Sequence, residues 1–144
     1  MPEFAENLKE LMVTQDVGIE ELSKAIEVSA SNIYGWLRGE HLPNFRNMIR
    51  LADYFHCSID LLLGLVFLDP EPYTFRPNPS FFRGLTKAMK LKRMTQARFC
   101  RDTKTSRSTF HIWQTGKTVP SWRKMIALAD FFDCTLDSLI DRES

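Results

Sequence analysis

Cysteines, histidines and a crowd of cations are the side chains of this 144-residue chain with the most chemistry to offer. Cys57, Cys100 and Cys134 cannot all pair within one chain and form no CxxC spacing, so they suggest neither a disulfide framework nor a cysteine-rich zinc site. They read as reduced thiols. The three histidines are scattered. No Gly-rich phosphate loop, His/Asp/Ser nucleophile set or HExxH motif accompanies them, so no catalytic residue, metal ligand or cofactor is expected. What remains is charge. The net charge of +1 hides a split: residues 1–66 hold five basic groups against ten acidic ones, and residues 67–144 hold fourteen against eight. Halves of −5 and +6 point to a division of labour, with the basic half suited to a polyanion such as nucleic acid.

The elements that must position these groups are organised by a repeat. A shift of 77 residues aligns 4–64 with 81–141 without a gap. Phe4, Leu8 and Met12 fall on Phe81, Leu85 and Met89, and Trp36, Gly39 and Pro43 fall on Trp113, Gly116 and Pro120. The densest match runs from Arg46 through Met48, Leu51, Ala52, Asp53, Phe55, Cys57 and Asp60 to Leu62, which fall on Arg123, Met125, Leu128, Ala129, Asp130, Phe132, Cys134, Asp137 and Leu139. A unit of about sixty residues is small but able to fold alone. The expected organisation is a first domain at 1–66, a Pro-rich linker at 67–80 and a second domain at 81–144. Prolines at 70, 72, 77 and 79 make the segment between the copies extended and stiff. Its apolar residues (Leu65, Val66, Phe67, Leu68, Tyr73, Phe75) suggest that part of it packs on a domain surface.

Each copy reads as five short helices, and neither contains the alternating β-branched runs of a sheet. In the first copy Phe4, Leu8, Leu11 and Met12 share one face at helical spacing, as do Leu22, Ala25 and Ile26. Ser29 caps a third helix whose inner face carries Ile33, Trp36 and Leu37 and which stops at Gly39; Asn44 caps a fourth over 45–55, and Ser58 caps a last one over 59–63. Ser106, Gly116, Pro120, Ser121 and Thr135 repeat the punctuation. Met48, Ile49, Leu51, Ala52, Phe55 and their counterparts are the expected core.

The chain resembles the Cro/CI-type (XRE, lambda-repressor-like) helix-turn-helix family. The residues that carry the resemblance are 22–39, Pro43 and LADYFHCSIDLLLG at 51–64, then TQARF at 95–99, SRSTFHIW at 106–113, Gly116, Pro120 and LADFFDCTLD at 128–137. Together the two copies cover about 120 residues, and the ordered set occurs twice at one spacing. The resemblance implies an all-α fold of two tandem five-helix domains and a sequence-specific double-stranded DNA-binding transcriptional regulator, a repressor. The copies depart from the family where a glycine is usual, in the turn between the second and third helices: Glu27 and Lys104 stand there, and φ > 0 strains a non-glycine residue. Thr103 and Thr105 replace apolar residues, which suggests a looser second turn. Cys57 and Cys134 occupy apolar positions of the family and read as buried small hydrophobes, so His56 beside Cys57 is no zinc pair.

A major groove about 12 Å wide admits one helix, whose outward side chains reach base edges. With Phe110 and Trp113 turned inward, the second copy presents Arg107, Ser108, His111 and Ile112. Resemblance places Gln96 at the start of the second helix, on a phosphate, with Arg98, Arg101, Lys104 and Lys117 as further phosphate candidates. The first copy has Ile19, Ala30, Ser31, Tyr34, Gly35 and Glu40 at the positions of Gln96, Arg107, Ser108, His111, Ile112 and Lys117. Its acidic Glu20, Glu21, Glu27 and Glu40 repel phosphate. Ala30, Ser31, Tyr34 and Arg38 are therefore candidates for a partner contact or a weak DNA contact, with Tyr34 beside the small Ala30 and Gly35 suited to a protein surface. The competing function is a protein-interaction module, antirepressor or antitoxin-like, that keeps the fold; a homodimer or another protein would then meet the first domain. No apolar run approaches the roughly 18 residues of a spanning helix, and the N-terminus lacks the pattern of a signal peptide, so no membrane role and a cytoplasmic location are expected.

Overall fold

In the computed structural model, which describes residues 2–69 and 74–143, the chain divides into two units, Met1–Glu71 and Pro72–Ser144. The first holds α1 (Pro2–Thr14), α2 (Ile19–Ile26), α3 (Ala30–Leu37), α4 (Phe45–Phe55) and α5 (Ile59–Leu62); the second holds α6 (Phe81–Leu91), α7 (Gln96–Asp102), α8 (Arg107–Thr115), α9 (Trp122–Phe132) and α10 (Leu136–Leu139). The architecture is all-α, with no strand among the described residues and an isolated antiparallel bridge between Phe75 and Glu143. No helix among the described residues is long and apolar enough to cross a membrane.

The helices begin where side chains satisfy their first N–H groups. Ser29, Asn44 and Ser58 accept from the backbone of Asn32, Asn47 and Leu61, and Ser106, Ser121 and Thr135 accept from Thr109, Lys124 and Ser138, at 2.8–3.2 Å. Each such cap stabilises its helix by about 1 kcal/mol. Ser80 and Thr95 cap α6 and α7 in the same way, to Arg83 and Arg98. α2 has no side-chain cap; Glu20 and Glu21 in its first turn complement the helix dipole instead. The repeat extends to the backbone: left-handed conformations at Asp16, Glu27, Gly39, His56 and Gly64 recur 77 residues on, at Arg93, Lys104, Gly116, Asp133 and Asp141.

Trp36, Met48, Leu51, Ala52 and Phe55 form the first core with Leu8, Leu22 and Ile33; Trp113, Met125, Leu128, Ala129 and Phe132 recur in the second. Ile49 and Ile126 are only half-buried, contrary to expectation, because the 3.6-residue period puts 48, 51, 52 and 55 on the inner line and 49 at its margin. Ala25 is likewise exposed, and Leu11, Leu37 and Cys134 are half-buried.

The last helix meets the first in both units, by different means. In the first unit the Asn7 amide donates to the carbonyls of Leu61 and Leu62 at 3.0 and 3.3 Å. At the equivalent position Gly84 lets α6 lie against the chain itself, since a Cβ there would collide with the carbonyl of Leu139. Pro70, Glu71, Pro72 and Tyr73 of the expected linker lie outside the described residues. Of its other apolar residues, Phe75 is half-buried, with the Arg142 guanidinium 3.7 Å from its ring centroid. Leu65, Val66, Phe67 and Leu68 are exposed and do not pack as expected, because Asp69 turns back to accept hydrogen bonds from the Ser58 amide (2.8 Å) and hydroxyl (2.5 Å) and holds the loop away from the core.

Candidate nucleic-acid interface

α7 and α8 are fixed from beneath by aromatic rings. Phe99 on α7 meets Phe110 on α8 edge-on at 5.8 Å and stacks on Phe132 of α9 at 5.9 Å, while Trp113 meets Phe81 edge-on at 5.3 Å. Offset and edge-on pairs of this kind add stability beyond the area they bury. With Phe110 and Trp113 buried, helical geometry turns the rest of α8 outward: Arg107, Ser108 and His111 are exposed, and Ile112 is 44% exposed beside them. Gly116, in the left-handed conformation, ends the helix, and Lys117 follows it into solvent, its amide donating to the Thr115 hydroxyl at 3.3 Å.

The turn that sets α7 against α8 is firmer than its sequence suggests. Lys104 takes φ 55° and Glu27 takes φ 57°, so the positions that favour glycine keep the left-handed geometry without it. Thr103 and Thr105 do not loosen the turn. Their hydroxyls lie 2.8 Å apart, Thr103 also donates to the Phe99 carbonyl at 2.7 Å, and Thr105 is buried. A satisfied hydroxyl pair replaces the apolar contact that the family pattern would place there.

A further support was missed in the sequence because it uses cations that read as surface charge. The Lys124 ammonium donates to the Thr103 carbonyl at 3.0 Å, and in the first unit the Arg50 guanidinium donates to the Ile26 carbonyl at 2.8 Å. Thr103 and Ile26 are equivalent, so each unit caps the end of its second helix with a cation from its fourth, placed one turn apart. The signal was present as a basic residue in both α4 and α9 amid their apolar stripes.

The structure separates the other basic candidates. Gln96 is exposed at the first position of α7, whose seven residues also carry Arg98 and Arg101. Arg98 and Arg101 both pair with Asp102, at 3.5 and 3.1 Å, so one carboxylate is shared between them. Exposed pairs of this type are weak, and they leave part of the positive charge available.

The same surface of the first unit is built differently. Ile19 and Ala30 are half-buried, Ser31 is exposed, and Tyr34 is 48% exposed. Arg38 is neutralised by Glu40, whose two oxygens accept at 2.8 and 3.2 Å; these hydrogen bonds, then the opposite charge, hold the Glu40 carboxyl below its usual range. Beside Tyr34, Gly35 is buried, and the His41 imidazole lies where a Cβ at Gly35 would be. Among the described residues no group of His, Cys, Asp and Glu side chains is placed to hold a metal ion.

Comparison with known proteins agrees with the helical pattern. Residues 84–144 match the Cro/C1-type helix-turn-helix DNA-binding domain, and residues 5–62 match a helix-turn-helix domain. No curated protein matches the chain. Among solved structures, a transcriptional regulator from Listeria innocua is similar over 80% of this chain and 96% of that one, at 21% identity and a TM-score of 0.42.

Proposed function

Because the chain belongs to the Cro/C1-type helix-turn-helix family, with one such domain in each half, we propose that it is a sequence-specific double-stranded DNA-binding transcriptional regulator, a repressor, whose second domain is the main reader. α8 lies in the major groove in this reading. Arg107, Ser108 and His111 face the bases, and Gln96, Arg98, Arg101 and Lys117 face phosphates. The observation that carries it is the contrast between equivalent surfaces: exposed Arg107, His111 and Lys117 in the second unit against half-buried Ala30, exposed Tyr34 and a Glu40 already paired with Arg38 in the first. Phosphate contacts supply orientation and base contacts supply sequence information, and both kinds of side chain share the outer side of α7 and α8. Repression needs only occupancy of the site. The first domain, with its charge of −5, serves in association with a second copy or another protein, and 67–80 joins the two.

Titration of fluorescent duplex DNA, drawn from a pool selected by the full chain, tests this reading. Binding through several phosphates gives a steep fall of log K with log salt, with a slope of about −0.9 per phosphate neutralised. A flat slope, or no enriched sequence, would favour the antirepressor or antitoxin-like alternative.

A further inference from the structure

Ser108, His111, Ile112 and Thr115 follow one another at the spacing of a single helix side, and all four are exposed on α8. Three are polar. Ile112 is aliphatic and 44% exposed. A lone apolar side chain on a surface needs no explanation by itself. This one stands out because its type does not serve the helix: a β-branched residue is a poorer helix former than the straight polar chains suited to an exposed turn, and Phe110 and Trp113 already supply the buried side of α8.

The repeat sharpens the contrast. The 77-residue shift puts Gly35 for Ile112, and Gly35 is buried under the His41 imidazole, so the first unit presents no side chain at that place. The second unit presents a branched hydrocarbon. It stands on a helix whose last turn is tied at the same residue, since the Thr115 hydroxyl donates to the Ile112 carbonyl at 2.6 Å. Branching at Cβ leaves one strongly preferred χ1 in a helix, so little rotamer freedom is lost when a ligand group meets this side chain.

The chemistry that an aliphatic group recognises in a major groove is narrow. Of the four bases only thymine carries a methyl group there, at C5; the other features are donors and acceptors that a hydrocarbon leaves unsatisfied. We propose that Ile112 is a specificity-determining residue that reads the C5-methyl group of one thymine in the bound site. The inference rests on the reading of α8 as the groove helix, and it adds the residue and the base edge. Residues four apart on a helix are about 5–6 Å apart and successive base pairs about 3.4 Å, so this thymine lies within about two base pairs of the base that Ser108 meets.

The test uses duplexes of the sequence selected by the full chain, with each thymine in turn replaced by deoxyuracil. That replacement removes the methyl group and keeps the pairing and every donor and acceptor. The wild type is expected to bind one of the replaced duplexes about fourfold more weakly, the worth of one buried methyl group. Ile112→Ala should bind the thymine duplex more weakly and should no longer tell the two apart, while Ile112→Val should keep part of the discrimination. General damage to α8 would instead weaken both duplexes alike and leave their ratio at the wild-type value. A wild type indifferent to every replacement, a selected sequence without a fixed thymine, or an Ile112→Ala variant that keeps the wild-type ratio overturns this inference and leaves DNA reading by the second domain standing. A pool in which no sequence is enriched overturns both.

Discussion

Asp141 and Arg142 place charges inside the second unit and satisfy them in different ways. Arg142 is fully buried and meets the equally buried Asp137 at 2.5 Å, with the Phe75 ring on its flank. Burial pushes the Asp141 carboxyl up, but hydrogen bonds from Lys87, Arg83 and Arg76 more than offset this and bring it from 3.8 to about 2. Since the folded value lies below the unfolded one, the stabilisation is present above about pH 4 and is lost as pH falls towards 2. Denaturant titrations of the wild type and Asp141→Asn should therefore differ by a constant amount at pH 5–8 and converge below pH 4; asparagine suits the left-handed backbone there. On the reading face, Arg107→Ala is expected to weaken binding by about 1–3 kcal/mol and relax specificity at one base pair, whereas Lys117→Ala should weaken all sequences alike and reduce the salt slope by about one. Larger losses from changes at Ala30, Ser31 and Tyr34, read by the same titrations, would assign the reading to the first domain.

At the scale of elements, the turns and close approaches carry the positioning. Glu27 and Lys104 hold left-handed conformations that disfavour any side chain by roughly 1–2 kcal/mol, so Glu27→Gly and Lys104→Gly should each raise thermal stability, by about 1 kcal/mol after the entropy of glycine is subtracted. The α6 to α10 contact responds the other way. Gly84→Ala forces a Cβ into the Leu139 carbonyl and should destabilise the second unit by about 1–3 kcal/mol or more, while Asn7→Ala in the first unit should lose only about 1 kcal/mol with its two hydrogen bonds. Calorimetric melting of the four variants checks both expectations. Because Lys124 and the threonine pair support the turn before α8 and not its outward side, the outward residues of α8 can change without changing its seat.

For the whole molecule the deciding quantity is the uneven charge, −5 in the first domain's residues 1–66 and +6 beyond. A chain that pairs through its first domain and reads through its second should protect two copies of one half-site, with centres about 34 Å or a multiple of it apart. Sequence selection followed by footprinting checks this expectation. A strict monomer that protects two unequal adjacent half-sites would show that the first domain reads DNA as well.

Much of the fold was legible in the sequence because its causes are local. Cap residues and the apolar period act over three or four positions, and their recurrence at one shift exposed the duplication. Outwardness of Arg107, Ser108 and His111 followed from the same period once Phe110 and Trp113 were turned inward. What tertiary structure alone decided were contacts beyond the reach of a helical turn: Lys124 on the Thr103 carbonyl, three cations around Asp141, and Asp69 turned back on Ser58 so that Phe67 and Leu68 face water. A cation on the surface and a cation capping a helix have the same sequence signature. They differ only in what lies within about 3 Å of the nitrogen, and that distance is set by packing among elements, not by any local rule.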